Sequence, residues 1–386
     1  MARSAKPNEP ASEERTRCAN KVAAMIMHVI TNFTASAGAE TMLARLLKIS
    51  CDERIIVASL RGISERNRGL ANNPRVVYAP LGAASSAGLP GALVKLAKLI
   101  RKEEPDVILC WMYHAMIAGT IAAGIARTRA PVFWNIRQSL DDPACLSRSS
   151  RIAIAAGRLL SARASGVIYN SSRARDLHEA YGYRNRHVAV IPNGFELPPL
   201  VSGEATSARR IGIAGRFHPQ KDHATFFRAA ARVLETHPQA TFAAAGFGLS
   251  RDNPEVMRIM TEAGLPPQSV DLRGEVSDMA GFYRGIDLLV LSSRTEGFPN
   301  VIAEAMSYSK PIVTTNVGDA AVVAGNAGIA VPARNPEALA EAMCAILDLS
   351  PNEYARYARN ARERIESEYT LAAIERKYSS FLGAYK

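Results

Sequence analysis

From Val22 onward, short apolar runs alternate with longer segments whose apolar residues recur every three or four positions. Runs of the first kind read as buried strands, segments of the second kind as helices with one buried face. In the first half the spacing predicts strands at 22–30, 54–60, 76–79, 107–112, 132–136, 166–169 and 187–191. Helices are expected near 39–48, 93–102, 115–126, 151–162 and 173–181. A turn at Pro192-Asn193-Gly194 and a segment rich in Pro, Ser and Gly (197–207) then interrupt the pattern, as a linker does.

The alternation restarts at Arg210. Strands are expected at 211–214, 241–245, 270–272, 286–291, 311–314 and 328–331, with helices near 224–236, 254–263, 279–283, 301–307 and 336–349. Residues 353–385 read as one charged, amphipathic helix. Strand–helix alternation of this kind predicts an α/β fold with parallel sheets. At 386 residues the chain exceeds one ordinary core. We therefore expect a polar, disordered tail over 1–20, then two doubly wound, Rossmann-like domains at 21–200 and 208–369, facing across a cleft. Ligands of such folds bind at the carboxyl ends of the strands.

Composition changes this picture in one respect. The formal charge of +11 is uneven: residues 1–200 carry 27 Lys and Arg against 15 Asp and Glu, and the remainder carry 20 against 21. The basic half points to an anionic partner such as a phospholipid surface, a lipid phosphate or nucleic acid, or else to an arginine-rich solvated surface. Five scattered cysteines without a C-x-x-C pair fit a reducing compartment. Residues 107–126 are uncharged over the length of a membrane span, but His114, two glycines and many alanines favour a strand followed by a small-residue helix. No transmembrane helix is expected.

Candidate chemistry concentrates in four places. In Ser292-Ser293-Arg294-Thr295-Glu296-Gly297-Phe298-Pro299-Asn300, an apolar run gives way to a polar turn and then to a helix carrying Glu304. Free backbone N–H groups converge at such a helix start and suit a phosphate, while carboxylates pair with sugar hydroxyls. The bland alternative is a capping glutamate and a solvated one. In Gly215-Arg216-Phe217-His218-Pro219-Gln220-Lys221-Asp222-His223, Arg216 and Lys221 flank a loop and together suit a diphosphate, although such side chains are often merely solvated. His218 and His223 lack a third metal ligand. Gly38, at a strand-to-helix turn, permits close approach of backbone to phosphate or makes a plain turn. His114 ends a strand at the expected cleft. Trp134 and Arg137, at another strand end, suit an acceptor sugar and its phosphate, or packing.

Together these stretches resemble the retaining glycosyltransferases of family 4, with the GT-B fold. The resemblance covers almost all of the chain from Val22 onward. Its most specific parts are the Glu-x7-Glu pattern from Glu296 to Glu304 and the Gly-Arg-x4-Lys-Asp-His loop about 80 residues before it. It implies that Arg216 and Lys221 bind the donor diphosphate, that Glu304 holds the ribose hydroxyls, and that Glu296 with Gly297, Phe298, Pro299 and Asn300 holds the transferred sugar and distal phosphate. It further implies that Gly38 belongs to the glycine-rich loop of the first domain, where Ala37 replaces a second glycine of many relatives. His114 would reach the sugar or acceptor from the opposite domain. Gly246, Arg273 and Val276 would line the nucleotide pocket, Gly215 would make the tight turn of the donor-binding loop, and a last helix (370–386) would cross back onto the first domain.

Glycosyl transfer from a nucleotide sugar leaves negative charge on the departing diphosphate, which a metal or preorganised cations can stabilise. The chain contains no Asp-x-Asp, so cations are expected to serve and no metal or other cofactor is expected. The family implies a same-face mechanism in which the β-phosphate takes the acceptor's proton. The expected reaction moves a hexose or N-acetylhexosamine from a nucleotide sugar, UDP-linked, to a lipid-linked saccharide or polysaccharide or lipopolysaccharide precursor. The enzyme is expected in the cytoplasm, peripheral at the inner membrane face, with no nucleic acid partner. A GT-B epimerase or hydrolase and a non-catalytic membrane-binding scaffold are the alternatives.

Overall fold

The computed structural model describes residues 25–34, 38–51, 54–83, 85, 88–141, 146–199 and 209–384. The expected tail, Ala37 and most of the 197–207 segment lie outside them.

Two parallel sheets organise the described chain. The first contains β1 (Met25–Ile30), β2 (Arg54–Ser59), β3 (Val76–Pro80), β4 (Val107–Trp111), β5 (Val132–Ile136), β6 (Gly166–Tyr169) and β7 (Val188–Val190), in the order β3-β2-β1-β4-β5-β6-β7. The second contains β8 (Arg210–Ala214), β9 (Thr241–Ala245), β10 (Val270–Leu272), β11 (Leu288–Leu291), β12 (Ile312–Thr315) and β13 (Gly328–Val331), in the order β10-β9-β8-β11-β12-β13. The central strands are apolar almost throughout because helices cover both faces. In each sheet the order reverses between two strands, β1 and β4 in the first and β8 and β11 in the second. A crevice forms at such a switch point, beyond the carboxyl ends of the strands. Both crevices face the boundary between the domains, as in the GT-B arrangement.

Helices α1 (Gly38–Ile49), α2 (Glu65–Ala71), α3 (Leu89–Glu103), α4 (Tyr113–Ala126), α5 (Arg148–Leu160) and α6 (Ser172–Tyr181) belong to the first sheet. Helices α7 (His223–Thr236), α8 (Pro254–Glu262), α9 (Met279–Arg284), α10 (Asn300–Ser307), α11 (Ala320–Ala324) and α12 (Pro336–Leu347) belong to the second. Two short helices, α2 and α11, escape the periodicity reading because they hold too few turns to establish a period. The 107–126 stretch divides into β4 and α4, and no helix among the described residues is long and apolar enough to cross a membrane.

The charged C-terminal segment is two helices rather than the single one expected: α13 (Pro351–Arg364) and α14 (Leu371–Gly383). A π-turn at Ile365–Tyr369 and an extended Thr370 separate them. At this break the chain pairs with the interdomain strap, Phe195 N donating to Tyr369 O and Leu371 N to Phe195 O, both at 2.9 Å. Helix α14 then inserts Leu371, Ile374, Tyr378 and Leu382 into the core of the first domain beside Trp111 and Phe133. Full burial of each such side chain stabilises by about 1.5–3 kcal/mol, enough to tie the chain end to the opposite domain. Among the cysteines, Cys110 and Cys344 are free, whereas Cys51 is disulfide-bonded, which the scattered spacing does not announce.

Candidate active site

The carboxyl end of β11 delivers the Ser292–Pro299 turn, and that of β8 delivers the Gly215–Asp222 loop. The two are stitched together. Arg294 N donates to Gln220 O (2.7 Å), Ser292 Oγ donates to Lys221 O (2.9 Å), and the Arg294 guanidinium pairs with Asp222 at 2.9 Å. Asp222 is buried in the left-handed region at φ 48°, fixed also by the Thr225 hydroxyl. Its pKa is lowered: burial raises it, but the hydrogen bonds from Arg294 and Thr225 outweigh that.

This stitching brings Lys221 Nζ to 2.5 Å from Glu296 Oε1, which also accepts from Ser293 Oγ at 2.7 Å. Arg216, on the same loop, is exposed and its guanidinium has no hydrogen-bond or ion-pair partner among the described residues. One cation is thus held on a carboxylate and a second is left available for an anion.

Close backbone approach shapes the same region. A Cβ on Gly246 would lie 2.0 Å from Gly215 O, and one on Gly318 would lie 2.1 Å from Glu296 O, so neither position admits a side chain. Gly246 therefore serves by letting the β8 and β9 turns pack against each other.

Helix α10 begins at Asn300, and Pro299 offers no side-chain cap to its first N–H groups. Across the boundary stands the start of α1, where a Cβ on Gly38 would come 3.6 Å from Asn300 Nδ2. Two helix N-termini face each other, an arrangement that favours negative charge between them. One turn along α10, Glu304 accepts from Tyr283 Oη (2.8 Å) and pairs with Arg45 of α1 (3.4 Å). It walls an interdomain cavity of about 420 Å³ together with Phe195, Met279 and Tyr308. A carboxylate has about four lone-pair sites, so two contacts leave room for hydroxyl donors.

Residues 208–349 match the model of the glycosyl transferases group 1 family, and residues 37–194 match that of the glycosyl transferase 4-like domain. The chain belongs to the group 1 glycosyltransferases. Among its curated relatives, a D-inositol 3-phosphate glycosyltransferase of Geodermatophilus obscurus is 31% identical over 48% of this chain and 46% of its own length. A glycogen synthase of Mycobacterium tuberculosis is 27% identical over 54% of this chain and 51% of its own length. The chain thus spans about half the length of the curated relatives it matches. Among solved structures, Anabaena HepE in complex with UDP and glucose superposes with a TM-score of 0.77 at 23% identity, over 94% of this chain and all of that one. The lipopolysaccharide outer core galactosyltransferase WaaB gives 0.74 at 14% identity, over 94% and 100%. These likenesses show the GT-B fold.

Within this group 1 glycosyltransferase, Trp134, Arg137 and Phe298 are taken up by packing, while Arg273, Val276, His114 and His223 have neighbours of their own. Trp134 is fully buried, its indole N–H donating to Thr120 Oγ1 at 2.9 Å, and has no face to offer an acceptor. Arg137 is spent on structure: it donates to Ile191 O (2.8 Å), Tyr378 Oη (3.1 Å) and Asn193 Oδ1. Asn193 in turn donates to Asn300 Oδ1, so Arg137 ties β5, the interdomain turn, α14 and α10 together. Phe298 is buried against Phe195 and Tyr369, with ring centroids 6.0 and 5.8 Å away. Arg273 pairs with Asp271 (2.8 Å) and covers Phe282, and Val276 packs on the apolar cluster beneath. His114 stands in the wall of a separate cavity of the first domain. His223 packs between Phe217 and Phe227 rather than sharing a site with His218.

Sequence reasoning did not single out Arg45, Tyr283, Asn193 or Asp319. Asp319 accepts from the N–H groups of Ser172 (2.8 Å) and Arg173 (3.1 Å) at the start of α6, in the opposite domain. Its own N–H donates to Gly297 O at 3.1 Å. These residues lie far apart in sequence and in ordinary contexts, so only the fold identifies them.

Proposed function

We propose that this chain transfers a hexose or N-acetylhexosamine, with retention, from a UDP-linked sugar to a lipid-linked saccharide or polysaccharide precursor. The observation that carries this reading is the Lys221–Glu296 pair beside the unpartnered Arg216, set against facing helix N-termini. The arrangement offers two cations and a positive dipole end where a diphosphate would leave, and a carboxylate beside them for the hydroxyls of the moving sugar. Charge developing on the departing diphosphate is then met by Arg216, Lys221 and the first N–H groups of α10, with no metal required. Glu304, farther along α10 in the 420 Å³ cavity, takes the ribose hydroxyls. The UDP and glucose named with Anabaena HepE support the donor class.

The remaining step is displacement at the anomeric carbon. The C–O bond to the β-phosphate breaks, the acceptor oxygen bonds to the same face, and a phosphate oxygen of the leaving group takes the acceptor's proton. The basic first half of the chain supports an acceptor held at an anionic membrane surface, at the cytoplasmic face. Measuring UDP release with and without lipid-linked acceptor tests the proposal. Transfer predicts release that depends on acceptor. Equal release in its absence would instead identify a hydrolase or epimerase, and no release from any UDP-sugar would indicate a scaffold.

A further inference from the structure

The first domain holds a second cavity, of about 590 Å³, that the donor site does not use. It opens where α3, α4 and α5 begin, at the carboxyl ends of β1 and β2. Its walls are apolar, built from Leu93, Ile117, Ile121 and Ile152 over a floor of small residues, Ala118, Ala153 and Ala156. Polar groups gather at one end: Thr31, Arg61, His114 and Ser149.

Three observations mark this end as a place for an anionic group. The Arg61 guanidinium is exposed and has no hydrogen-bond or ion-pair partner among the described residues. The Thr31 hydroxyl is buried without a hydrogen-bond partner. Burial, and then the nearby Arg61 charge, lower the His114 pKa, which places the imidazole in the positive field of that guanidinium. The adjoining backbone is also strained: Met112, just before α4, has φ 67° and ψ 164°, a conformation costly for a side chain with a Cβ and found most often near functional sites.

The surface around the mouth has a matching character. On α5, Ile152 and Leu159 are 71% and 74% exposed and lie seven residues apart, on one stripe at about 100° per residue. Arg151 and Arg158, also exposed and seven apart, run beside that stripe. Ile121 and Ile125 of α4 and Val94 of α3 extend the apolar surface. Apolar side chains interleaved with arginines are the composition of a face that rests on an anionic bilayer.

From this geometry we propose that the cavity receives the hydrocarbon chain of a lipid phosphate acceptor, with its phosphate on Arg61 and Thr31. The inference rests on the glycosyltransferase reading and narrows the acceptor to a saccharide carried on a single-chain lipid phosphate drawn from the membrane. Ile152 and Leu159 would seat the domain on the bilayer, letting the chain pass from lipid into the protein without crossing water.

Binding of dodecyl phosphate below its micelle concentration tests this, with inorganic phosphate as the chain-free probe and UDP as the donor-site control. We expect saturable one-to-one binding of dodecyl phosphate and none of inorganic phosphate at the same concentrations. Ala118→Trp, which fills the cavity, and Arg61→Ala, which removes the cation, should each weaken dodecyl phosphate at least tenfold while leaving the thermal shift given by UDP unchanged. Ala156→Trp serves as a second filling variant should Ala118→Trp not fold. Undiminished dodecyl phosphate binding in a folded filling variant, or in Arg61→Ala, overturns the proposal. Failure of wild-type protein to bind UDP would instead overturn the glycosyltransferase reading, so the two outcomes are separable.

Discussion

Lys221 Nζ lies 2.5 Å from Glu296 Oε1, joining the cation assigned to the donor diphosphate to the carboxylate assigned to the transferred sugar. The Glu296 side chain is only 11% exposed, and its Oε1 is satisfied by Lys221 and the Ser293 hydroxyl. A pair of this kind keeps the loop ordered and holds both groups where an incoming diphosphate can draw the lysine away.

Lys221→Ala should reduce UDP release in the presence of acceptor by about 10²–10³, the cost of removing one preorganised group from a developing anion. It should also destabilise the fold by about 1–3 kcal/mol, because Glu296 is left short of a partner. Glu296→Ala should lower turnover similarly, and the double variant should be less destabilised than the sum of the singles. Wild-type rates in either single variant would remove both residues from the site.

Glu304 already receives the Tyr283 hydroxyl and Arg45, and the proposal adds ribose hydroxyls to that carboxylate. Discrimination between UDP and 2′-deoxy-UDP should then depend on it. Glu304→Ala should weaken UDP by about 1.5–3 kcal/mol, the value of a hydrogen bond to a charged group, and weaken 2′-deoxy-UDP less. Calorimetric titration of both nucleotides checks this. Equal losses for the two would place Glu304 in interdomain packing, through Arg45, rather than on the ribose.

Local pattern made the sheets and the two loops legible because each is written in consecutive residues. Every strand of the two sheets lies at an apolar run, and Gly215–His223 and Glu296–Glu304 are continuous in the chain. What the sequence could not display is which side chains the fold spends on itself. Trp134 and Arg137 stand at a strand end, as acceptor-binding residues do. Yet β5 is buried on both faces, so the indole lies in the core, and the guanidinium is consumed by a turn 54 residues away and a helix 241 residues away. Phe298 lies within the most specific pattern but packs on Phe195 and Tyr369. The break at Thr370 was invisible because both halves of the C-terminal segment share one charged, amphipathic character. Its cause is tertiary, the pairing of Tyr369 and Leu371 with Phe195.

Asp319 provides a test of how the domains are held. Its two oxygens accept from the first N–H groups of α6 across the cleft, while Ser171 caps the same helix from within its own domain at Ala174 N. Asp319→Ala should cost roughly 1 kcal/mol, the usual worth of a helix cap, with some further loss from the helix dipole. It should also release one domain from the other, so the radius of gyration by small-angle scattering should rise in the variant and fall back on adding UDP-sugar. Asp319→Asn, which keeps an acceptor, should lie between. An unchanged radius in Asp319→Ala would assign interdomain closure to α14 and the Phe195 strap alone.

Two buried histidines set the response to acid. His178 Nδ1 lies 2.7 Å from Ala174 O, which can only accept, so Nδ1 carries the proton and Nε2 accepts from Tyr113 Oη at 2.9 Å. Burial lowers its pKa to about 4, and burial with nearby Lys221 does the same for His223. In the unfolded chain both titrate near about 6.5. Between those values the unfolded state binds protons that the folded state refuses, so stability is full above pH 6.5 and falls as pH drops toward 4. The slope is at most about 1.4 kcal/mol per pH unit for each histidine. Urea unfolding at pH 7.5, 6.0 and 5.0 should show this decline before carboxylates such as Asp222, held below the usual range, begin to protonate. His178→Gln, which keeps a donor and an acceptor without a titrating ring, should lower stability at pH 7.5 but flatten the decline by somewhat less than half, since His223 and the also lowered His114 still contribute. A decline of unchanged steepness in that variant would show that neither the Tyr113–His178 contact nor its burial governs the acid response.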